Sequence, residues 1–400
     1  MRVLLVHNRY RSDGPGGEDV VFEQEQNLLS KLGVEVFSYT RSNDEMDPSS
    51  SLDKLRVLRG LHRSGRTVRE LRGLLRKNKP DIAHFHNTFP LISASAYEVC
   101  RAFGIPVVQT IHNFGLVCAS RTFFRETRVC QECSPGRYGA AIRHACYGNS
   151  HVASAAIASM LWRNFYSDVH RRCIDCFLAL SPFVADWLAG VGIERSRIRI
   201  KPNFITPVDR SLNASSEAVI FAGRLSIEKG IYTLLEAWRS LPDIPLQIYG
   251  DGPERGGLLR FVEQHRLNVR FMGLHPHSEV LSAISKARML VMASGCFEGG
   301  VPLVVLESWA VGTPVIASRI GSTTSISEGV EALQFVPGNA DELARKVRRL
   351  WGDRALAAEL ARNGLKRFEA EHTEEIGGRQ LVTLYKELLT QRTAQTAQAS

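Results

Sequence analysis

The sequence predicts two tandem α/β domains, each with a parallel β-sheet and helices on both faces. Short apolar runs alternate with amphipathic segments, and strands separated by helices are typical of parallel sheets. Ten runs read as buried strands: residues 3–6, 35–39, 82–85, 107–110, 177–180, 218–222, 246–249, 269–272, 289–292 and 315–317. The length of 400 residues suits two domains, and 44% hydrophobic with 23% charged residues is typical of a globular protein.

Between the two series lies a segment rich in Pro, Ser and Asn, residues 201–216, which reads as an interdomain linker. We therefore predict an N-terminal domain at 1–205 and a C-terminal domain at 206–375. A helix at 376–390 would pack back toward the N-terminal domain, and residues 391–400 would form a disordered tail. Ligands bind at the carboxyl ends of such strands, which predicts a cleft between the domains.

The start of the chain has no long apolar region with a small-residue cleavage site, and no stretch has the length of a membrane span. The eight cysteines then read as reduced thiols in a cytoplasmic protein. The net charge of +9 favours an anionic partner.

Much of the positive charge lies in residues 54–79, which carry ten Lys or Arg and one acid, Glu70. Leucines at helical spacing accompany these cations. For the part from Lys54 to Arg66 we predict a surface in peripheral contact with anionic membrane lipid. For residues 68–75, near a strand, we predict leucines in the core and solvated cations. A nucleic-acid-binding role is disfavoured because few aromatic residues lie among the cations.

Two glycine-containing loops follow strands and precede helices. Gly16 and Gly17 would let the backbone approach a ligand at a helix N-terminus that attracts anions. In the loop FAGRLSIEKG, Arg224 and Lys229 lie five residues apart, where both can reach a diphosphate. A plain turn and solvated surface cations are the structural alternatives.

A third segment, FEGGVPLVVLESWAVGTPVIAS, contains two carboxylates around a glycine-rich turn. Glu298 precedes the turn and Glu307 lies in the helix that begins near Leu303. Carboxylates accept paired hydrogen bonds from neighbouring sugar hydroxyls, and the helix amides would face a phosphate. Glu307 could alternatively serve only to stabilise the helix dipole.

These segments, with PDIAHFHNTFP, GIPVVQTIHN, FLALSPFVADWL, IKPNF and IYGDGPE, resemble the family 4 retaining glycosyltransferases in order and spacing over residues 2–390. The resemblance implies the GT-B fold, which has two Rossmann-like domains. It implies that Gly16 and Gly17 lie against the donor and that Arg224 and Lys229 hold the diphosphate.

By the same resemblance, Glu298 contacts the donor sugar, Glu307 contacts the ribose, and Leu303 belongs to the donor site. His112 would lie near the transferred sugar. One departure is that eight residues separate Glu298 from Glu307, where the family has seven; the glycines after Glu298 could absorb the extra residue as a bulge.

The implied activity is retaining transfer of a sugar from a nucleoside-diphosphate sugar to a lipid-linked or polysaccharide acceptor. We expect no cofactor and no metal, because cations stabilise the leaving group and no Asp-x-Asp triplet is present. A nucleotide-sugar epimerase or hydrolase of the same fold is the alternative enzyme.

Two further motifs leave alternatives open. Cys118, Cys130, Cys133 and Cys146 could bind structural zinc, but only one C-x2-C pair is present. The segment GDGPERG follows a strand, yet its third glycine is misplaced for nicotinamide-dinucleotide binding. The cysteine-containing stretch is also a candidate for acceptor selection.

Overall fold

The computed structural model describes residues 1–12, 16–47, 49–206 and 217–399, with side chains except at residue 51 and beyond residue 392. The strands are β1 Arg2–Arg9, β2 Glu35–Ser42, β3 Ile82–Asn87, β4 Val107–Ile111, β5 Phe124–Arg125, β6 Arg128–Val129, β7 Cys176–Ala179, β8 Ile198–Ile200, β9 Val219–Ala222, β10 Leu246–Tyr249, β11 Val269–Gly273, β12 Met289–Met292, β13 Val315–Ser318 and β14 Leu333–Phe335.

The helices are α1 Gly17–Lys31, α2 Ser51–His62, α3 Gly65–Asn78, α4 Ser95–Ala102, α5 Gly139–Arg143, α6 His151–Tyr166, α7 Val169–Cys173, α8 Pro182–Gly190, α9 Ile231–Trp238, α10 Arg255–His265, α11 His277–Lys286, α12 Leu303–Ala310, α13 Ala340–Gly352, α14 Arg354–Glu371 and α15 Glu374–Ala399. The chain divides into two compact units. The first comprises Met1–Arg121, Gln131–Pro202 and Glu375–Ser400, and the second Thr122–Cys130 and Asn203–Glu374.

The first unit is built on a six-stranded parallel sheet with the order β2-β1-β3-β4-β7-β8. The strands β1, β3, β4 and β7 are buried along almost their whole length, which is expected of a sheet covered on both faces. Part of its core joins Val3 and Leu5 of β1 to Phe22 of α1 and to Leu381 and Tyr385 of α15. The C-terminal helix therefore packs on this unit.

The second unit has the same construction, with a parallel sheet in the order β11-β10-β9-β12-β13-β14. Alternate residues of β9 point into two separate clusters. Val219 and Phe221 join a core that includes α9 and α13, while Ile220 joins one that includes α12. Each of the two sheets thus has helices on both faces, as the sequence predicts.

Three features differ from the sequence-based expectation. The helix predicted at 376–390 is longer, because α15 continues to Ala399. Residues 391–399 lack an apolar pattern, but they contain no Gly or Pro and are rich in the good helix formers Ala and Gln. The short strands β8 and β14 and the β5–β6 hairpin were not predicted, since two or three residues carry no periodicity.

The third difference concerns the residues Thr122–Cys130, which belong to the second unit although the sequence places them in the N-terminal domain. Their apolar side chains account for this assignment. Phe123 is buried and its ring lies 6.2 Å from that of Phe297, and the ring of Phe124 lies beside Gly295. Of the predicted linker, residues 207–216 lie outside the described residues, whereas Lys201 is buried rather than solvated.

The basic segment forms α2 and α3, and its two parts differ in burial. In α3, Leu71 and Leu75 are buried, as predicted for a core-facing helix. In α2, Leu61 is buried but Leu52 and Leu55 are exposed. Among the described residues, no helix is both long and apolar enough to cross a membrane.

Candidate active site

In each sheet, the strand order places one crevice at the carboxyl ends of the strands. The connections run in opposite directions from β1 and β3 in the first sheet and from β9 and β12 in the second. Ligands of open parallel sheets bind at such points, because the loops there diverge and leave a crevice. The predicted site residues follow these strands or the neighbouring β4: Gly16, Gly17 and His112 in the first unit, and Arg224, Lys229, Glu298, Leu303 and Glu307 in the second.

The start of α1 is held in place by Asp19. This carboxylate accepts hydrogen bonds from the backbone N–H groups of Gly16 (3.0 Å) and Tyr10 (3.2 Å) and lies 2.6 Å from His7 Nε2. Burial raises the pKa of Asp19, but the hydrogen bonds from His7 and Gly16 outweigh it and lower that pKa. A Cβ atom at Gly16 would overlap the ring of Tyr10, so a larger residue there would displace that ring. Pro15 lies outside the described residues.

His112 follows β4 directly and lines a cavity in the first unit, together with His86, Asn87, Asn113 and Arg121. Its Nε2 lies 3.0 Å from Nδ1 of His86, and the two rings are within 20° of parallel. Burial lowers the pKa of His112 well below its usual value. The ring is therefore neutral at physiological pH and can offer one donor and one acceptor nitrogen.

The cavity also contains a cation that the sequence analysis did not single out. Arg121 donates to Asn87 Oδ1 (3.0 Å) and Asn113 Oδ1 (3.1 Å), and its guanidinium lies 4.8 Å from the ring centre of Phe89. These contacts hold the guanidinium at the wall of the cavity that His112 also lines. Only the fold shows this arrangement, because Arg121 lies in an irregular stretch without a motif.

In the second unit, the loop from Gly223 to Gly230 carries Arg224 and Lys229. The loop is fixed by backbone hydrogen bonds: Gly223 N–H donates to Tyr249, Leu225 N–H to Asp251, and Gly295 N–H to Glu228. Arg224 is exposed, whereas Lys229 keeps about a third of its side chain, 34%, in solvent. The two cations thus lie on a loop at the crevice that is tied to the neighbouring segments by backbone hydrogen bonds.

Lys229 and Glu298 form an ion pair with an Nζ–Oε1 distance of 2.7 Å. The same oxygen accepts a hydrogen bond from Ser294 Oγ (2.6 Å). Burial raises the pKa of Glu298, but Lys229 and Ser294 outweigh it and lower that pKa. Burial lowers the pKa of Lys229, but the nearby carboxylate outweighs it and raises that pKa. Both groups are therefore charged at neutral pH.

Glu307 lies on α12, one turn after Leu303, the first residue of that helix. Oε1 of Glu307 is 2.8 Å from Nε2 of His277, which is the first residue of α11. The hydrogen bond to Glu307 raises the pKa of His277. The N–H groups of Leu303 and Val304 precede the first hydrogen bond within α12 and can bind an anion. His277 was not predicted as a site residue, because an exposed histidine after a proline has no distinguishing sequence signal.

Residues 299–301 form a bend between Glu298 and Pro302, at the place where the extra residue was expected. Ser322 Oγ donates to the backbone carbonyl of Glu298 (2.6 Å) and Ser318 Oγ to that of Ser294 (2.7 Å). These bonds hold the Glu298 segment against the end of β13 and the turn that follows it. The bend leaves the carboxylate of Glu298 beside Lys229.

All eight cysteines are free thiols. Cys118, Cys133 and Cys146 belong to the first unit and Cys130 to the second. Zinc binding by this set stays a hypothesis.

Comparison with known proteins agrees with the two-domain architecture. Residues 15–208 match the glycosyltransferase family 4 model and residues 207–367 match the model for glycosyl transferases group 1. A lipopolysaccharide core biosynthesis glycosyltransferase, LpsE of Rhizobium meliloti, is 31% identical over 51% of this chain. That match spans 62% of the length of LpsE.

Two solved structures have similar folds. The sucrose-phosphate synthase of Thermosynechococcus elongatus has a TM-score of 0.71 at 20% identity, over 98% of this chain and 99% of that one. HepE of Anabaena, solved in complex with UDP, has a TM-score of 0.66 at 15% identity, over 97% of this chain and 100% of that one. The fold is therefore GT-B. The two adjoining matches together cover residues 15–367, and the chain belongs to the family 4 glycosyltransferases.

Proposed function

We propose that the protein transfers a sugar from a nucleoside-diphosphate sugar to a lipid-linked or polysaccharide acceptor of the cell envelope, with retention of configuration and without a metal ion. The observation that carries the proposal is the Lys229–Glu298 ion pair at the crevice of the second sheet, on the loop that also carries Arg224. The name of LpsE supports an envelope glycan acceptor, and the UDP complex of HepE supports a uridine nucleotide as donor.

The charges explain how the reaction would proceed. Departure of a nucleoside diphosphate develops negative charge on the leaving oxygen. Arg224, Lys229 and the N–H groups at the start of α12 would stabilise that charge in a preorganised way, as a divalent cation does in other enzymes. Glu298, held by Lys229, would accept hydrogen bonds from hydroxyls of the donor sugar. Glu307 would accept them from the ribose.

Retention follows if the acceptor attacks from the face that the diphosphate leaves. The departing phosphate oxygen would then take the proton of the acceptor hydroxyl, and no protein base is required. Gly16 and Gly17 would allow the backbone to approach the donor, and His112 would contact a sugar hydroxyl. The cavity of the first unit, with Arg121 at its wall, would contribute to the acceptor side.

The first experiment measures thermal shifts with UDP, GDP, ADP and their sugars, with EDTA and with magnesium. A ligand that binds only the folded state raises the melting temperature. We expect one nucleotide to produce a shift that EDTA does not reduce. If no nucleotide changes the melting temperature, the proposed donor site is wrong.

The second experiment tests the diphosphate contacts. Lys229→Ala and Arg224→Ala should each lower kcat by roughly a hundred-fold or more, since each removes a cation from the leaving group. Arg239→Ala, at an exposed site of the same unit, is the matched control and should retain wild-type turnover. Transfer with near-normal kcat in Lys229→Ala would contradict the assignment. Release of free sugar without transfer to an added acceptor would favour a hydrolase instead.

A peripheral membrane contact is also part of the proposal, because two adjoining helices of the first unit expose apolar and basic side chains. This α2–α6 surface consists of Leu52 (67% exposed), Leu55 (44%), Val152 (77%), Trp162 (55%) and Tyr166 (64%). The helices adjoin through a hydrogen bond between Ser159 Oγ and His62 Nε2 (3.2 Å).

Cations accompany these apolar groups along α2, namely Lys54, Arg56 and Arg59. Leucine, Trp and Tyr side chains partition into the headgroup region, while Lys and Arg bind anionic lipid. The combination suits an enzyme whose acceptor is held in a membrane.

Cosedimentation with vesicles tests this contact. The protein should bind vesicles rich in phosphatidylglycerol more tightly than vesicles of phosphatidylcholine alone, and salt should weaken the binding. Leu52→Ser/Leu55→Ser should lower the bound fraction several-fold, whereas Leu259→Ser, an exposed leucine of the second unit, should not. Equal binding by both variants would remove the α2–α6 surface from the proposal.

A further inference from the structure

The first unit contains a buried cluster of histidines and one carboxylate behind the cavity that His112 lines. Glu25 on α1 is fully buried, and its Oε2 lies 3.3 Å from His86 Nε2 and 3.7 Å from His84 Nδ1. Its Oε1 pairs with the ammonium group of Lys201. Glu25, His86 and His112 thus form a continuous chain, because His86 Nδ1 lies 3.0 Å from His112 Nε2.

Among the described residues, Glu25, His84 and His86 are also the set whose ligand atoms come within 4.8 Å of one another. Their existing partners argue against a metal ion. Lys201 already neutralises Glu25, and His84 uses both ring nitrogens, toward Tyr385 OH (2.7 Å) and Thr110 Oγ1 (2.7 Å). The cluster is therefore better explained as a chain of polar contacts. His86 hydrogen-bonds to His112, whereas Glu25 Oε2 and His86 Nε2, 3.3 Å apart, make an ion-pair contact without hydrogen-bond geometry.

The positions of the protons in this chain can be deduced by starting from Glu25. Burial raises the pKa of Glu25, but the Lys201 ammonium outweighs it and lowers the pKa well below the usual value, so Glu25 is a carboxylate. Its Oε2 lies 3.3 Å from His86 Nε2 and would repel a lone pair on that nitrogen, so the N–H of a neutral His86 is on Nε2. Lys201 balances the charge of Glu25, so the buried cluster carries no net charge when each of its imidazoles holds a single proton.

A neutral imidazole has one N–H, so Nδ1 of His86 is an acceptor and His112 must donate to it from Nε2. The described structure gives the other nitrogen of His112, Nδ1, no hydrogen-bond partner, and the ring lines the cavity. We propose that Glu25 and His86 are positioning residues that hold His112 in its Nε2–H tautomer, leaving Nδ1 as the acceptor for a substrate hydroxyl.

The binding of a hydroxyl of the sugar or the acceptor to this nitrogen rests on the proposed function. The assignment of the His112 tautomer does not. A His112 with its proton on Nδ1 could only donate to a hydroxyl from that nitrogen. The buried carboxylate of Glu25 therefore decides whether Nδ1 of His112 accepts or donates a hydrogen bond, although Glu25 is separated from His112 by His86.

The experiment is nuclear magnetic resonance of the whole protein with ¹⁵N-labelled histidine. The His112 ring signals are assigned by their loss in His112→Gln. In the wild type we expect protonated Nε2 and unprotonated Nδ1. Protonated Nδ1 of His112 in the wild type overturns the proposal, and this result needs no substitution of Glu25 or His86.

Glu25→Gln supplies the second arm. Lys201 has only donors and would hold the amide oxygen, which turns the amide NH₂ group toward His86 and reverses the chain. We expect the proton of His112 to move to Nδ1. An unchanged tautomer in folded Glu25→Gln overturns the proposal. Tyr385→Phe removes the buried hydrogen bond to His84 but leaves Glu25, His86 and His112 unchanged, so His112 should keep the wild-type tautomer.

Turnover gives a readout linked to the reaction. Glu25→Gln should lower kcat roughly ten-fold or more with little change in the KM for the donor, while Tyr385→Phe should retain kcat. Equal kcat in the wild type and in Glu25→Gln with a reversed tautomer overturns the role in positioning. If the wild type transfers no sugar at all, the proposed function fails while the spectra still decide the tautomer.

Discussion

At the scale of single residues, the two carboxylates of the candidate site are each paired with a basic side chain. Lys229 neutralises Glu298, and His277 holds Glu307. A bound donor would exchange these partners for its phosphates and hydroxyls. The site is preorganised because hydrogen bonds from Lys229 and His277 already hold the two carboxylates in place.

The His277–Glu307 pair predicts a pH dependence. Because the hydrogen bond raises the pKa of His277 above its ordinary 6.5, the pair stabilises the fold below about pH 6.5. Its contribution is lost as the pH rises through the raised pKa. The effect should be small, about 0.5 kcal/mol, because the histidine side chain is 63% exposed.

An NMR titration of the histidines tests this pair. In Glu307→Gln the pKa of His277 should return toward 6.5. The pKa of His275, raised by Glu279 in the same unit, is the control and should not move. A His277 pKa that is the same in both proteins would show that the pair does not form in solution.

At the scale of elements, three glycines allow close backbone packing around the loop between β9 and α9. A side chain at Gly250 would overlap the carbonyl oxygen of Gly223, and one at Gly252 would overlap that of Leu225. Gly230 has a φ of 69° and lies against the carbonyl oxygen of Ala293. The segment GDGPERG, which resembles a dinucleotide motif, therefore has a packing role next to the loop that presents Arg224.

Substitution of Gly230 tests this packing. Gly230→Ala should destabilise the protein by about 2 kcal/mol or more, since both the backbone conformation and the contact with Ala293 exclude a Cβ atom. Gly73→Ala is the matched control, because Gly73 lies inside α3 with no atom close to the added Cβ. It should stabilise the protein by about 0.5–1 kcal/mol. Chemical denaturation measures both, and equal effects would contradict the packing argument.

At the scale of the whole molecule, the buried histidines couple the stability of the fold to pH. Burial lowers the pKa of His7, His84 and His112, in His7 against the opposing effect of the hydrogen bond that it donates to Asp19. Their ordinary pKa near 6.5 applies to the unfolded chain, so the unfolded state binds more protons below that pH. The free energy of unfolding should therefore fall as the pH drops below about 6.5.

The expected slope is at most about 4 kcal/mol per pH unit for three such groups. Urea unfolding at pH 7.5, 6.0 and 5.0 measures it. His84→Gln keeps a neutral polar side chain near Thr110 and Tyr385, and its slope should be smaller. Glu25 acts in a lower range: its depressed pKa contributes stability above about pH 4.5 that is lost on further acidification. Stability that rises on acidification between pH 7.5 and 5.0 would contradict the prediction.

Local patterns in the sequence determined the fold class. Buried strands such as β1 and β12 were predicted within a few residues, because a parallel strand covered on both faces is a continuous apolar run. The motifs around Arg224, Lys229 and Glu307 were also recognisable, since glycines at strand ends and charged residues after them keep a fixed spacing.

Only the tertiary structure decided which polar residues meet. Glu25 occupies an apolar position of α1, and Lys201 lies in a segment that reads as a linker, yet the two form a buried ion pair 176 residues apart in sequence. Their chain to His112 depends on α1, β3, the residue after β4 and the end of β8 packing side by side. Periodicity reports how each segment is buried against its surroundings, whereas the proton positions in the site depend on contacts between segments that no local pattern contains.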